Sequence, residues 1–441
     1  MDQRSWSEGP RIFNLFPLLA GPMPLWGQHV ERARAMGFNW IFINPIQQSG
    51  SSRSIYSIKD YWAVDKRMLD PAAGAPADQL RGMIATVRGA GMSLMTDLVI
   101  NHTAFDSPLV SEHPRWYRRG PDGKPMNPGA KEGEGYVTWF DLYEIDNAAS
   151  PDREHLWRYW IHVAKSYAAA GFNGFRCDAA YKVPNELWRR LIGEVKQAAP
   201  GTMFFAESLG CPFEDMLQLG RVGFDFIFNS SKWWDFAAPW CLEQYRQSST
   251  IVPSIAFAES HDTERLAAEL GGDVEAVKMR YAFSALFSTG VMMPLGFEYG
   301  FRRRVSVVET RPGDWEQQAW DLSGFVAAVN RLKASHRVFN EEGPMEEVDA
   351  GNAALLSLLR CSRDGVERAL VILNKDRRSP QSCDLGRFHH LFAGAHTVED
   401  ISPEVRLSLG PGTMHCQLEP SAVRVLKARF AEGWKIRRSS S

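Results

Sequence analysis

Excess charge is the first thing this chain lacks: 50 Lys and Arg stand against 52 Asp and Glu in 441 residues, a formal net charge of −2. Near-neutrality removes any electrostatic reason to expect nucleic acid or an anionic membrane as a partner. No apolar run approaches membrane-spanning length, and the polar start Met1-Asp2-Gln3-Arg4-Ser5-Trp6 is not followed by the apolar core of a secretion signal. Cysteine is scarce and scattered: Cys177, Cys211, Cys241, Cys361, Cys383 and Cys416 form no Cys-x-x-Cys pair. That spacing argues against a thiolate metal site and predicts reduced thiols in a cytoplasmic protein. Internal repeats, low-complexity tracts and a Gly-rich phosphate loop are also missing.

What the chain does have is aromatic residues, 12% of the total, and a regular alternation of short β-rich runs with amphipathic stretches. The runs Ile12–Leu15, Trp40–Asn44, Ser93–Val99, Gly174–Cys177, Met203–Ala206, Phe224–Phe228, Ser254–Phe257 and Val291–Pro294 predict strands. Pro24–Met36, Ala77–Ala90, Arg153–Ala170, Pro184–Ala198 and Val274–Phe287 predict helices. Eight strands with helices between them predict an α/β fold, a (β/α)₈ barrel built from residues 1–103 and 153–340. The third strand leaves into a long connection, residues 104–152, rich in turn chemistry such as Gly120-Pro121-Asp122-Gly123. A connection of that length is expected to wall a functional cleft. Residues 341–432 change to short alternating runs, among them Ala354–Leu359, Ala369–Asn374, His396–Glu399 and Ala422–Leu426, which predict an all-β sandwich. Residues 433–441 read as a frayed tail.

Three acids close three of these strands: Asp178 after Gly174-Phe175-Arg176-Cys177, Glu207 after Met203-Phe204-Phe205-Ala206, and Asp262 in Glu259-Ser260-His261-Asp262. In a parallel barrel the strand exits share one rim, where the chemistry is done. Arg176, two residues before Asp178, lies on the same strand face and favours an ionised carboxylate. The apolar run before Glu207 predicts a raised pKa, as a general acid needs. Taken singly, Arg176–Asp178 reads equally as a rim salt bridge and His261–Asp262 as a loop cap. Together with Asn101-His102 at the third strand they match the parts needed for glycoside hydrolysis with retention.

Four ordered motifs then carry a resemblance. Asp97-Leu98-Val99-Ile100-Asn101-His102-Thr103, Gly174-Phe175-Arg176-Cys177-Asp178, Ala206-Glu207 and Ser260-His261-Asp262 resemble, in order, the strand-three, -four, -five and -seven motifs of the α-amylase family of glycoside hydrolases and transglycosidases. Tyr56-Ser57-Ile58-Lys59-Asp60-Tyr61 and Met293-Pro294-Leu295-Gly296-Phe297-Glu298 are similar to further family segments, so the likeness runs over about residues 10–340. The resemblance implies Asp178 as nucleophile, Glu207 as acid/base and Asp262 as the residue that distorts the sugar and stabilises the transition state. It implies Arg176, His102 and His261 as hydrogen-bonders to the reacting glucose, Tyr56 stacking on it, and Asp60 nearby. It also implies that residues 104–152 are an inserted domain B and residues 341–432 a domain C.

One stretch departs from the family pattern. Many members carry Lys-His shortly after the nucleophile, whereas here the run is Asp178-Ala179-Ala180-Tyr181-Lys182-Val183-Pro184. Tyr181 and Lys182 therefore stand as candidate acceptor-side residues, and the stretch resembles maltosyltransferase-like relatives, some of which use a phosphorylated donor. Lys59, Arg53 and Lys182 are the cations available to such a phosphate. Trp116, Tyr117, Tyr136, Trp139 and Tyr143 in the long connection, and Trp233-Trp234, are candidate sugar platforms. The expected activity is cleavage of α-1,4-glucosidic bonds with retention; the alternative is glycosyl transfer from a sugar or sugar-phosphate donor, and a third reading is a non-catalytic α-glucan-binding barrel. No cofactor is required for this chemistry. Calcium is the family's frequent ion, and Asn101 stands where one of its ligands is often found, with Asp106, Asp141 and Asp146 in the loop. The expected partner is an α-glucan or maltooligosaccharide, with no nucleic acid or membrane; the oligomeric state is not readable.

Overall fold

A computed structural model describes residues 7–132, 135–409 and 415–431. Eight parallel strands close into a barrel: β1 (Arg11–Leu15), β2 (Trp40–Ile43), β3 (Ser93–Leu98), β4 (Gly174–Cys177), β5 (Met203–Ala206), β6 (Phe226–Phe228), β7 (Ser254–Phe257) and β8 (Gly290–Pro294). Closure is completed by β1, which pairs with β2 on one side and β8 on the other. The expected β6 starts two residues late. Asp225 takes the Phe204 amide on its own carboxylate, at 2.8 Å, so a side chain stands where the ladder would begin.

Strand alternation sorts the barrel's side chains. Ile12, Trp40, Phe42, Met95, Phe205, Phe228, Ile255, Phe257 and Met292 fill the inside as one apolar cluster. The opposite faces pack on the helices, for example Phe175 and Phe204 against Trp160, Trp188 and Leu191. Two residues beyond the apolar fillers the inward positions turn polar: Asn14 follows Ile12, Asn44 follows Phe42, Asp97 follows Met95 and Glu207 follows Phe205, all buried. This polar layer caps the apolar one at the end where the strands exit.

Residues 104–152 are built from hairpins. His102–Ala104 pairs with Leu142–Glu144, and Gly129–Glu132 pairs with Gly135–Thr138. The C-terminal region is antiparallel, with a five-stranded sheet ordered Met345–Glu347, Leu355–Cys361, Glu367–Asn374, Val423–Arg429, Thr397–Asp400, and a separate pair Gln381–Asp384 and His415–Leu418. The sandwich is lopsided. The pair, with Leu385 and Phe388, covers one face of the large sheet, while Leu356, Leu358, Val371 and Leu373 on the other face pack on Trp234, Phe236, Phe283 and Phe287 of the barrel side. Only two strands are needed in the second layer because the barrel covers the other face. The expected frayed tail, 433–441, lies outside the described residues. Among the described residues, no helix is long and apolar enough to cross a membrane.

Candidate active site

A cavity of about 710 Å³ opens at the C-terminal ends of the strands, lined among others by Tyr56, His102, Trp139, Asp178, Glu207, Trp233 and Asp262. Its organising group is Arg176. The guanidinium is buried on the inner face of β4, level in register with Asp97 of β3, and donates to Asp97 Oδ1 at 2.7 Å and Asp178 Oδ1 at 2.8 Å. Its second terminal nitrogen lies 4.0 Å from Glu207 Oε2 and 3.8 Å from Asp262 Oδ2. One fixed cation thus reaches all three strand-exit acids.

A second tier fixes the neighbours. Tyr56 donates its hydroxyl to Asp97 Oδ2 at 2.9 Å and receives Asn44 Nδ2 at 2.9 Å. His261 Nε2 lies 2.7 Å from the Tyr56 hydroxyl and 3.1 Å from Asp262 Oδ2, while its Nδ1 is buried with no partner. With the Tyr56 proton given to Asp97, both Nε2 neighbours are acceptors, which assigns the imidazole proton to Nε2. Burial lowers the His261 pKa to about 4, so the ring is neutral near pH 7 and donates without carrying charge. His102, also lowered by burial, holds the Tyr56 carbonyl at 3.1 Å. The Tyr56 and His261 rings stack, with centroids 5.7 Å apart and planes 5° apart.

The carboxyls differ in environment. Burial raises Glu207 to about 7, against the pull of Arg176 and with the repulsion of Asp178 added. Its oxygens accept backbone N–H groups from Ala179 at 2.8 Å and Leu209 at 2.6 Å, so the carboxyl is held in place as well as desolvated. Asp97 rises to about 7 for the same first reason, burial. Asp262 is half-exposed and faces the cavity. The set contains a fixed carboxylate beside a cation, a carboxyl poised to exchange a proton near neutrality, and neutral donors around the same opening.

The comparisons with known proteins bear on this geometry. The family described as "Glycogen debranching enzyme, glucanotransferase domain" matches residues 8–117. The α-1,4-glucan:maltose-1-phosphate maltosyltransferase of Burkholderia pseudomallei is 26% identical over 401 residues, covering 85% of this chain and 34% of the relative. The enzyme of the same name from Myxococcus xanthus is 25% identical over 386 residues, covering 81% of this chain and 56% of its own. The crystal structure of an α-amylase from Lactobacillus plantarum superposes with a TM-score of 0.76 at 17% identity, covering 95% of this chain and 98% of that one. That of Geobacillus thermoleovorans α-amylase, complexed with acarbose, gives 0.77 at 14% identity, covering 97% and 99%. The chain shares the fold of these α-amylases and is similar in sequence to the maltosyltransferases over most of its own length. It spans about a third to just over half the length of these two maltosyltransferases.

Of the expected site residues, the structure brings Asp178, Glu207, Asp262, Arg176, Tyr56, His102, Tyr181 and Lys182 to the cavity wall, with His261 directly behind Tyr56 and Asp262. Asp60 is not brought there. Its Oδ1 accepts the Trp62 amide at 2.8 Å, serving its own strand, Ile58–Val64. Lys59 pairs with Asp106 at 3.1 Å and Arg53 lies away from the cavity lining, which leaves Lys182 and Arg304 as the cleft's cations besides Arg176. Trp139 and Trp233 line the cavity, whereas Trp116, Tyr117 and Trp234 are buried as packing. Tyr136 is exposed on the hairpin, and Tyr143 packs edge-on to Tyr117.

Asn101 Oδ1 is buried without a hydrogen-bond partner, which suits a cation, but the loop carboxylates do not gather on it. Asp106 holds Lys59, and Asp146 accepts the Ala149 amide. Among the described residues no group of three or more His, Cys, Asp or Glu forms a metal cluster. Asp106 and Asp146 are thus committed to partners other than a cation at Asn101. Asp97, the first residue of the strand-three motif, is the functional residue to which the sequence reading gave no role. Its signal was present: it stands two residues after inward-facing Met95 and pairs in register with Arg176.

Proposed function

We propose that this chain cleaves α-1,4-glucosidic bonds in α-glucans with retention, through a glycosyl-aspartate on Asp178. The observation that carries the reading is the single guanidinium of Arg176 within 4.0 Å of Asp97, Asp178, Glu207 and Asp262. Asp178 attacks the anomeric carbon while Glu207, protonated near neutrality, gives its proton to the departing glycosidic oxygen. Glu207, now ionised, then takes a proton from the hydroxyl that attacks the glycosyl-Asp178 ester, which restores both carboxyls. Asp262 and His102 line the cavity where ring hydroxyls would bind, with His261 positioning Tyr56 and Asp262 from behind, and bonds that tighten as positive charge develops on the sugar raise rate more than affinity.

Transfer to a sugar acceptor is the fate that the relatives' names favour over release to water. Two features of the cleft accord with it. Lys182 and Tyr181 sit on the turn whose Ala180 amide donates to the Glu207 carbonyl at 3.1 Å, so a donor's leaving phosphate would meet an ammonium and a phenol there. The cytoplasmic setting belongs to the same proposal and is supported by thiols that are mostly buried, away from oxidant.

Purified protein incubated with maltose through maltoheptaose, with and without maltose 1-phosphate, separates the fates. Elongated products indicate transfer, and dependence on the phosphorylated donor identifies it as the glycosyl source; accumulation of glucose or maltose indicates hydrolysis. Asp178→Asn is expected to lower kcat by about 10⁴-fold or more, because nucleophile, acid and cation act as a unit. Undiminished turnover by that variant on every oligosaccharide would end the reading.

A further inference from the structure

The cleft wall beside Glu207 continues past the cavity's rim. Lys182 Nζ donates to the Gly129 carbonyl at 2.6 Å and lies 5.0 Å from the centre of the Trp139 ring, which lines the cavity. Gly129 opens one strand of a hairpin whose other strand carries Tyr136. A Cβ on Gly129 would stand 2.6 Å from the Tyr136 ring and collide with the Val137 carbonyl oxygen, so the phenol ring lies on a bare Cα that only glycine offers. Trp139, Lys182 and Tyr136 are therefore linked in series around buried Gly129, from the cavity lining to the exposed hairpin. Tyr136 remains 68% exposed and Phe140, next to Trp139, 79% exposed. Flat rings supported on one side and open to water on the other are costly to leave bare, and they offer large rigid area to an amphipathic ring such as a pyranose.

We infer that Tyr136, seated on Gly129, is a platform for the distal glucose units of a long α-glucan whose reacting end occupies the cleft. The inference rests on the α-glucan reading above and adds to it a preference for long chains on the leaving-group and acceptor side. Continuity identifies the occupant: the contacts begin at the cavity's own Trp139 and run outward from the side that carries Lys182, so a chain too long for the cavity passes over Tyr136.

The test compares wild type, Tyr136→Ala and Tyr136→Phe by direct titration with maltose and with maltoheptaose, alongside turnover of both sugars. Tyr136→Ala is expected to weaken maltoheptaose binding and raise its KM by about three- to tenfold, the scale of one aromatic contact. Maltose affinity and kcat should stay as they are, and Tyr136→Phe, which keeps the ring, should behave as wild type. Equal losses for both sugars, or none for either, overturn the platform. So does a change of oligomeric state in Tyr136→Ala with the affinity ratio unaltered, which would make Tyr136 a contact between copies of the chain. If wild type turns over neither sugar, with or without maltose 1-phosphate, the catalytic reading has failed, and the binding ratio still decides the platform on its own.

Discussion

Glu207 joins catalysis and stability through one number. Its pKa, lifted by burial to about 7, means that the protonated acid required for the first step declines as pH rises through that value, and kcat is expected to fall with it. Glu207→Gln should lower kcat by roughly 10²–10⁴-fold on oligosaccharides and remove that basic limb. A maltosyl fluoride, whose leaving group needs no proton from the enzyme, should show the smallest loss. The sign of the stability effect comes from the same shift. The folded pKa is above the ordinary 4.5, so the stabilisation of the protonated carboxyl is complete below pH 4.5 and is lost as pH rises through about 7. Glu207→Gln is therefore expected to melt at a higher temperature than wild type at pH 8, with the gap closing near pH 4; calorimetry at the two pH values checks it. Asp178 and Glu207 were legible in the sequence because each directly follows an apolar run, as at a strand exit, and Asp262 because it stands a few residues beyond the run Ser254–Phe257. Asp97 was given no role because it stands inside its run, where the same residue type reads as an interruption. Asp60 misled for the converse reason: it sits beside Tyr56 in sequence, yet its own strand uses its carboxylate to hold the Trp62 amide.

At the scale of the element, the turn leaving β4 does more than end a strand. Ala179 is left-handed, with φ 41° and ψ 49°, and from that conformation its amide reaches Glu207 Oε2 at 2.8 Å. Left-handed backbone costs a residue with a Cβ about 1–2 kcal/mol, so the barrel holds this strain beside its acid. Ala179→Gly relieves it while keeping the N–H, and should preserve kcat within about twofold with stability unchanged or up to about 1 kcal/mol higher. Ala179→Val puts a β-branched residue where the conformation excludes it; a loss of about 1–3 kcal/mol by urea denaturation is expected, together with a lower kcat as the amide leaves Glu207. If Ala179→Val matches wild type in both, the turn is not a positioning device. The barrel strands were readable because their inward faces repeat every second residue in short, bounded runs. This turn was not, since alanine gives none of the warning that a glycine at the same place would. The lopsided C-terminal sandwich escaped for a related reason: alternation shows that a sheet has two apolar faces but not that a helical barrel covers one of them.

For the whole molecule, two basic side chains are sunk at one helix end beside the joint between barrel and C-terminal sheet, and one of them crosses it. Arg360, in the strand Leu355–Cys361 and fully buried, donates to the carbonyls of Leu286 at 2.8 Å, Phe287, and Glu341 at 2.8 Å. Lys333 Nζ, also fully buried, donates to the carbonyls of Ala285 at 2.8 Å, Ser288 at 2.7 Å and Phe339 at 2.5 Å. The Ala285, Leu286, Phe287 and Ser288 carbonyls sit at the C-terminal end of the helix Val274–Phe287, where unpaired acceptors and the negative pole of the helix gather. Arg360 alone of the two reaches across the joint, so the sheet cannot leave without stranding the Leu286 and Phe287 carbonyls, whereas Lys333 ties together chain ends on the barrel side. Arg360→Ala should therefore cost about 2–4 kcal/mol, the scale of leaving buried partners unpaired, and lower Tm without altering kcat at 25 °C, since the active-site rim is built by other residues. Barrel and sheet should also melt together, with tryptophan fluorescence and far-UV circular dichroism giving coincident transitions in wild type. In Arg360→Ala the coincidence is the sharper observation. A transition that splits in two assigns the guanidinium to coupling the domains, whereas a single transition at lower temperature leaves that coupling to the shared apolar cluster of Trp234, Phe283, Phe287, Leu356 and Val371 that packs around the same joint.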